Sequence, residues 1–320
     1  MPGQGNILVA VYRPNPGLLE RQISSIRRQS VATWVCHVGI DGYDPRANEL
    51  VRRLTVDDNR FVIHHFESNV GFYRNFERLV ARADSDARWI ALADQDDDWD
   101  LDKLRIVLGA LTAPDVLLAC GQARVVDIDG RGGAATRRRW VPLLSLMFDN
   151  QVTGSITAFR PEVARGALPF PPPTAASYHD HWIGVVAAAM GNYRILEDVV
   201  QSYVQHGENV LGEEQGPRLA GRLNRLWAGG GWVRVLAEER WGWRQSMASE
   251  LLERGLVSPS DQVLVDIALA RPTLRVASSL VGAVTARQVG VGRAVALGAG
   301  ALLARGRRRS DRWTRPLGLH

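Results

Sequence analysis

The sequence predicts an α/β fold with a mainly helical C-terminal extension, and three observations carry that expectation. Short apolar runs alternate with helix-periodic segments across residues 1–210. Acidic residues fall directly behind two of those runs, where strands of a parallel sheet would end. Past Gly207 the strand signals give way to arginine- and tryptophan-rich stretches. A chain of 320 residues holds one large α/β core plus an appendage, so residues 1–210 are expected to form a catalytic domain and 211–320 a helical, basic region.

Each element follows from local chemistry. Ile7 to Val11 reads as a strand that stops at Tyr12-Arg13-Pro14-Asn15-Pro16-Gly17, since proline and glycine interrupt a strand and favour a turn. Leu18, Leu19, Ile23 and Ile26 have helical spacing. Trp34 to Ile40 is a second strand ending at Asp41-Gly42, Arg46 to Leu54 a helix, and Phe61 to Phe66 a third strand. Ser68-Asn69-Val70-Gly71 turns into a helix that places Phe72, Phe76, Leu79 and Val80 on one face. Arg88 to Ala93 is a fourth strand, and it runs straight into Asp94-Gln95-Asp96-Asp97-Asp98-Trp99. A helix over Leu101 to Leu111 and a strand over Val116 to Cys120, continuing toward Val126, come next. Arg131 to Arg139 lacks a period and reads as a loop. Tyr178-His179-Asp180-His181 precedes a helix from Trp182 to Met190, and Tyr193 to Leu196 is the last clear strand, followed by Val199 to Val204. Leu223 to Trp243, broken at Gly229-Gly230-Gly231, suggests two helical pieces.

Composition narrows the function class. Hydrophobic residues at 46% and charged residues at 23% describe a chain that folds. Cys36 and Cys120 lie in apolar stretches, outside any zinc or iron-sulfur spacing, and are expected as buried thiols. Met1 to Asn6 lacks a secretory pattern, which points to the cytoplasm. From Arg271 onward there are ten arginines against the single acid Asp311, so the net charge of +5 hides a mildly acidic body and a strongly basic tail. That tail suits a membrane surface, placing the protein at the inner face of the plasma membrane, or a partner subunit such as a second copy of the chain. Nucleic acid is not expected, since no binding motif accompanies the arginines. Packing of the Val276 to Leu303 region on its own domain is the equal alternative.

The densest chemical signal is Asp94, Asp96, Asp97 and Asp98. Carboxylates this close repel unless neutralised, and their hard oxygens suit magnesium or manganese; the rival reading is an acidic turn capping the next helix. An acid on the opposite side of a substrate would serve as a general base, and Asp180 at a helix start is the candidate, the rival being an N-cap. Glu197 and Asp198 are fallback acids. The Asn150 to Ser155 segment offers amides and hydroxyls that can read ligand hydroxyl groups, the rival being a turn, and Trp99, Trp140 and Trp182 offer apolar ligand-facing surface or core.

The run Asp94-Gln95-Asp96-Asp97-Asp98-Trp99 followed by Lys103-Leu104 resembles the DxD segment of inverting family 2 glycosyltransferases with a GT-A fold, in particular a bacterial rhamnosyltransferase-like branch. Gln22 to Ser25 with Gln29, Asp41-Gly42, Asn69-Val70-Gly71 with Asn75, and Tyr203-Val204-Gln205-His206-Gly207-Glu208-Asn209 resemble further family segments in order. Tyr43 stands where the family usually carries a second-strand serine, after a single acid instead of a pair. The resemblance implies a nucleotide-sugar donor, with dTDP-L-rhamnose favoured over a UDP-hexose, and a saccharide or lipid-linked saccharide acceptor in cell-wall polysaccharide synthesis. It implies Asp41, Asp94, Tyr12 and Asn69 as nucleotide-sugar contacts, Asp96, His206 and Asp94 at a Mn2+ or Mg2+ ion, and Asp180 as the base. A non-catalytic nucleotide-sugar or carbohydrate-binding protein is the alternative. A dinucleotide oxidoreductase is disfavoured by the proline-rich turn after the first strand, where a glycine loop would be needed.

Overall fold

The computed structural model describes residues 4–204 and 240–305. Eight strands form one mixed sheet. The strands are β1 (Gly5–Val11), β2 (Trp34–Ile40), β3 (Phe61–His65), β4 (Ile90–Ala93), β5 (Asp98–Trp99), β6 (Val116–Val126), β7 (Thr157–Phe159) and β8 (Asn192–Val204), and their spatial order is β3-β2-β1-β4-β7-β6-β8-β5. The helices of the first part are α1 (Pro16–Arg27), α2 (Pro45–Thr55), α3 (Gly71–Val80), α4 (Lys103–Ala110), α5 (Leu143–Phe148), α6 (Pro161–Ala167) and α7 (His179–Met190). Four more follow residue 240: α8 (Gly242–Glu253), α9 (Gln262–Ala268), α10 (Leu274–Thr285) and α11 (Val291–Arg305).

The first half is parallel. β1 pairs with β2 and β4, and β2 with β3, all in the same direction. Their residues are almost all apolar because both sheet faces are covered by helices. Asn15 caps α1 by accepting from Gly17 N and Leu18 N, and Asp44 caps α2 from Arg46 N and Ala47 N; a proline follows each cap, where its missing N–H costs nothing.

The second half departs from the wholly parallel sheet that the strand pattern suggests. β7 runs antiparallel to both β4 and β6, and β5 antiparallel to β8, whereas β6 and β8 are parallel. β7 has three residues and β5 two, too few to leave a periodic signal, and β5 lies inside the acid-rich run. The separate strand signals at Tyr193 to Leu196 and Val199 to Val204 belong to one continuous strand.

The helices after residue 240 pack into the same apolar core as the sheet. Trp241, Trp243, Met247, Leu251, Ile267 and Leu280 are buried within it. Arg254 of α8 donates to the carbonyls of Gly166, Leu168 and Pro169 and lies over the Trp182 ring. Both cysteines are free and buried. Among the described residues no helix is long and apolar enough to cross a membrane.

Candidate active site

Asp41 follows the last residue of β2, and Asp94 the last of β4. Both strands flank β1, so the two acids stand at the carboxyl edge of the same sheet. Asp41 is 3% exposed and its carboxylate accepts from Val70 N (3.0 Å) and Gly71 N (2.9 Å) at the start of α3. Gly71 has φ +78°, a conformation that glycine adopts without strain. The exposed Asn69 side chain also accepts from Gly71 N, at 3.1 Å. Asn69 and Asp41 thus hold one turn, with Arg78 3.9 Å from the Asp41 carboxylate.

Gln95 ties the acidic loop to the end of β1. Its Oε1 accepts from Tyr12 N (2.9 Å), and its Nε2 donates to Tyr12 O (3.0 Å). The Tyr12 ring is 44% exposed beside Arg13, so the position singled out for nucleotide contact presents an accessible aromatic surface. On the far side of the loop, Gln29, just past the C-cap of α1, donates to Asp100 O (2.7 Å) and accepts from Leu104 N (3.0 Å), fixing the exit into α4.

The four acids of this loop divide into different roles. Asp94 keeps part of its surface accessible. Burial first, then the charges of Asp97, Asp96 and Asp180, hold its carboxyl well above the usual range, against an opposing pull from Lys103. Asp96 is also partly accessible. Asp97 is fully buried: its Oδ2 accepts from Gln201 Nε2 (2.7 Å), and burial, then Asp96, push its pKa up to about 7. Asp98 belongs to β5, with Arg28 at 3.9 Å.

Lys103 is the buried counter-charge beneath the loop. Its ammonium donates to Ser155 O and to Gln201 Oε1 (2.7 Å) and lies 3.5 Å from the Trp99 ring centroid. Burial lowers its pKa well below the ordinary lysine value, and Asp97 and Asp94 act in the opposite direction. Lys103, Gln201, Ser155 and Asp97 form a scaffold under Asp94 and Asp96. Gln201 is a member that sequence reasoning missed, and its place inside an apolar strand was the available signal.

Asp180 sits in the first turn of α7. Its Oδ1 accepts from Asn150 Nδ2 (3.0 Å) and His181 N, and its Oδ2 from Gly154 N (3.0 Å). Asp180 is therefore oriented by the loop singled out for ligand contact. Its charge also reaches Asp94, so the two carboxylates share one electrostatic site.

A cavity of about 280 Å³ opens on this side. Asn150, Thr153 and Asp180 line it, together with Tyr203 at the end of β8 and Arg138 from the irregular loop. Arg240, Arg244, Arg293 and Leu297 enter from the C-terminal region. These cationic positions were not singled out from the sequence, because three segments far apart in the chain supply them.

Other sequence candidates fall elsewhere. Trp99 and Trp182 are buried, and Trp182 Nε1 donates to Ala167 O (2.8 Å), so both are core residues and not sugar platforms. Trp140 is 55% exposed and stacks on Tyr193. Glu197 and Asp198 occupy exposed positions of β8. His206 and residues 223–239 of the Leu223 to Trp243 segment lie outside the described residues.

Among the described residues no three His, Cys, Asp or Glu side chains form a ready metal cage. Asp94 and Asp96 still fit a divalent cation. Their oxygens are hard, burial and then the charges of Asp97 and Asp96 raise Asp94, and magnesium-type sites commonly take one or two carboxylates and complete the shell with substrate phosphates and water.

A mixed curled sheet carrying acids at the carboxyl edge of its parallel half, with a helical region packed behind it, is a GT-A-like nucleotide-sugar fold. The chain belongs to glycosyl transferase family 2, whose model matches residues 7–168. Among curated proteins, an uncharacterised protein of Sinorhizobium fredii is 30% identical over 140 residues, covering 42% of this chain and 15% of that protein's length. Among solved structures, the mannosyltransferase PcManGT of Pyrobaculum calidifontis, in complex with GDP-Man and Mn2+, is similar with a TM-score of 0.53 at 17% identity, over 94% of this chain and 80% of the other. A TarS fragment from S. aureus in complex with UDP-GlcNAc gives 0.55 at 15% identity, over 97% and 93%. At these identities the structures speak to the fold.

Proposed function

We propose that this chain transfers a sugar from a nucleotide-diphosphate donor to a saccharide or lipid-linked saccharide hydroxyl, with inversion. The observation that carries the reading is the pairing of two acidic sites. Asp41, Asp94 and Asp96 stand at the sheet edge, and Asp180, one of the charges that raise Asp94, faces a cavity whose described lining does not include those three acids. In-line displacement needs this separation of donor and acceptor sides.

Asp41, Tyr12 and Asn69 contact the nucleotide, and Asp94 and Asp96 hold the Mn2+ or Mg2+, with His206 as a further ligand. The ion, when bound, supplies charge neutralisation at the leaving diphosphate. Asp180 takes the proton of the attacking hydroxyl as its oxygen bonds to the anomeric carbon, and the bond to the diphosphate breaks with its electron pair. The three N–H donors on Asp180 hold its carboxylate in one orientation at the cavity wall, which leaves little rotamer freedom to lose on reaching the transition state. Residues 1–210 form the catalytic unit in this reading and 211–320 its helical, basic region.

The rhamnosyltransferase-like sequence resemblance supports dTDP-L-rhamnose as donor, with UDP-hexoses second. The test is mass-spectrometric detection of product from a matrix of dTDP-, UDP- and GDP-sugars with saccharide acceptors, with Mn2+, Mg2+ or chelator. Asp180→Asn is expected to lower kcat by about 10²–10⁴ while nucleotide affinity stays unchanged. Asp96→Asn is expected to abolish the metal response. Nucleotide binding that ignores metal, with no turnover from any pair, would favour the non-catalytic binding protein.

A further inference from the structure

The cavity beside Asp180 is built around cations. Arg138, Arg240, Arg244 and Arg293 line it, against the carboxylates of Asp149 and Asp180. Arg293 is paired with Asp149 at 2.8 Å. Arg244 is 6% exposed and donates to the carbonyls of Met147 (3.0 Å), Phe148 (2.9 Å) and Arg240 (3.0 Å), which fixes its guanidinium at the cavity wall. Arg138 gives one bond to Asn150 O (3.0 Å), and a guanidinium has more donors than that bond uses.

A neutral sugar does not require this lining. Amides, hydroxyls and ring faces read hydroxyl groups without the desolvation cost of buried guanidinium groups. An anionic acceptor does require it, because Asp149 and Asp180 already place carboxylates on the cavity wall. Repulsion from them would keep a second anion out unless fixed cations offset it. The arginines lie on the Asp180 side, whereas Asp41, Asp94 and Asp96 are not part of the cavity wall, which separates this charge from the donor diphosphate.

We infer that the acceptor carries an oxyanion, phosphate or carboxylate, beside its accepting hydroxyl, and that Arg138 and Arg240 bind it within the cavity completed by Arg244 and Arg293. This rests on the glycosyltransferase reading, since it names the substrate class of the same acceptor side. The C-terminal region thereby takes part in acceptor selection, through Arg240, Arg244 and Arg293.

The test uses the full chain with Mn2+ and, in separate samples, saturating UDP, GDP or dTDP. Glucose 6-phosphate, glucuronate and glucose are then titrated and read by saturation-transfer NMR. The expected result is binding of one or both anionic sugars about tenfold tighter than glucose, weakened about tenfold by Arg138→Gln or Arg240→Gln and largely kept by Arg138→Lys. Nucleotide affinity should be unchanged in all three variants, which also reports that they fold. Preference for glucose 6-phosphate alone identifies a phosphate, and for glucuronate alone a uronic acid. Equal binding of glucose and the charged sugars, no binding of either charged sugar, or displacement of glucose 6-phosphate by the nucleotide overturns the inference. A chain that binds none of the nucleotides removes the donor-site reading itself, a separate result read before any sugar is added.

Discussion

His181 is held as a neutral imidazole in the core. Its Nδ1 accepts from Trp243 Nε1 (3.1 Å), which leaves Nε2 to donate to Leu146 O (2.8 Å). Burial, then the Arg244 charge, lower its pKa to about 3, and burial lowers its neighbour His179 to about 4. Between those values and the ordinary 6.5 the unfolded chain binds more protons than the folded one. Stability is therefore full above pH 6.5 and falls as pH drops toward 3, by a few kcal/mol in order of magnitude from His181. Chemical denaturation of His181→Gln across this range should show a shallower acid loss than the parent, even if the variant is less stable throughout; parallel curves would show that His181 does not titrate on unfolding. At this scale the positions of Asp41, Asp94, Asp96 and Asp180 beside element ends were legible, because the strand and helix signals stop there. Which of the four loop acids stay partly accessible was not legible. Asp97 is buried by Gln201 and Lys103, two residues brought to it from other elements.

The docking of α8 against α6 and α7 depends on Arg254. Its guanidinium satisfies carbonyls of Gly166, Leu168 and Pro169 and pairs with Glu250 at 2.7 Å. These carbonyls end α6 and lead into the following loop, so they have no helical partner of their own. Arg254→Met is expected to cost about 2–4 kcal/mol. Faster amide exchange should be confined to α6, α8 and the segment between Leu168 and Phe170, measured by hydrogen exchange with mass spectrometry. Uniform acceleration over the whole sheet would mean that Arg254 acts on global stability alone. Helices α1 to α4 and α7 and strands β1 to β4, β6 and β8 announced themselves by period or by an apolar run. The short β5, β7, α5 and α6 did not, and β5 and β7 supply the antiparallel pairs that make the sheet mixed.

The molecule as a whole has one main apolar core, and it continues from β1 through α7 into Trp241, Trp243 and Leu251. Trp243 meets Tyr73 of α3 edge to face at 6.0 Å and bonds His181 of α7. With no apolar boundary between the sheet and α8, thermal unfolding in a calorimeter should give a single cooperative transition. Two separated transitions would show that residues after 240 fold as an independent unit. The amino-acid sequence by itself determined the βα alternation, the acids at strand ends, the buried cysteines and the family, because each is written in neighbouring residues. Tertiary structure decided the rest. The mixed strand order, the burial of Asp97 and Lys103, the core role of Trp182 and the arginine-lined cavity all depend on contacts between residues tens to hundreds of positions apart. No local pattern records such contacts, since the free energy that fixes them comes from burial and charge pairing in the assembled fold.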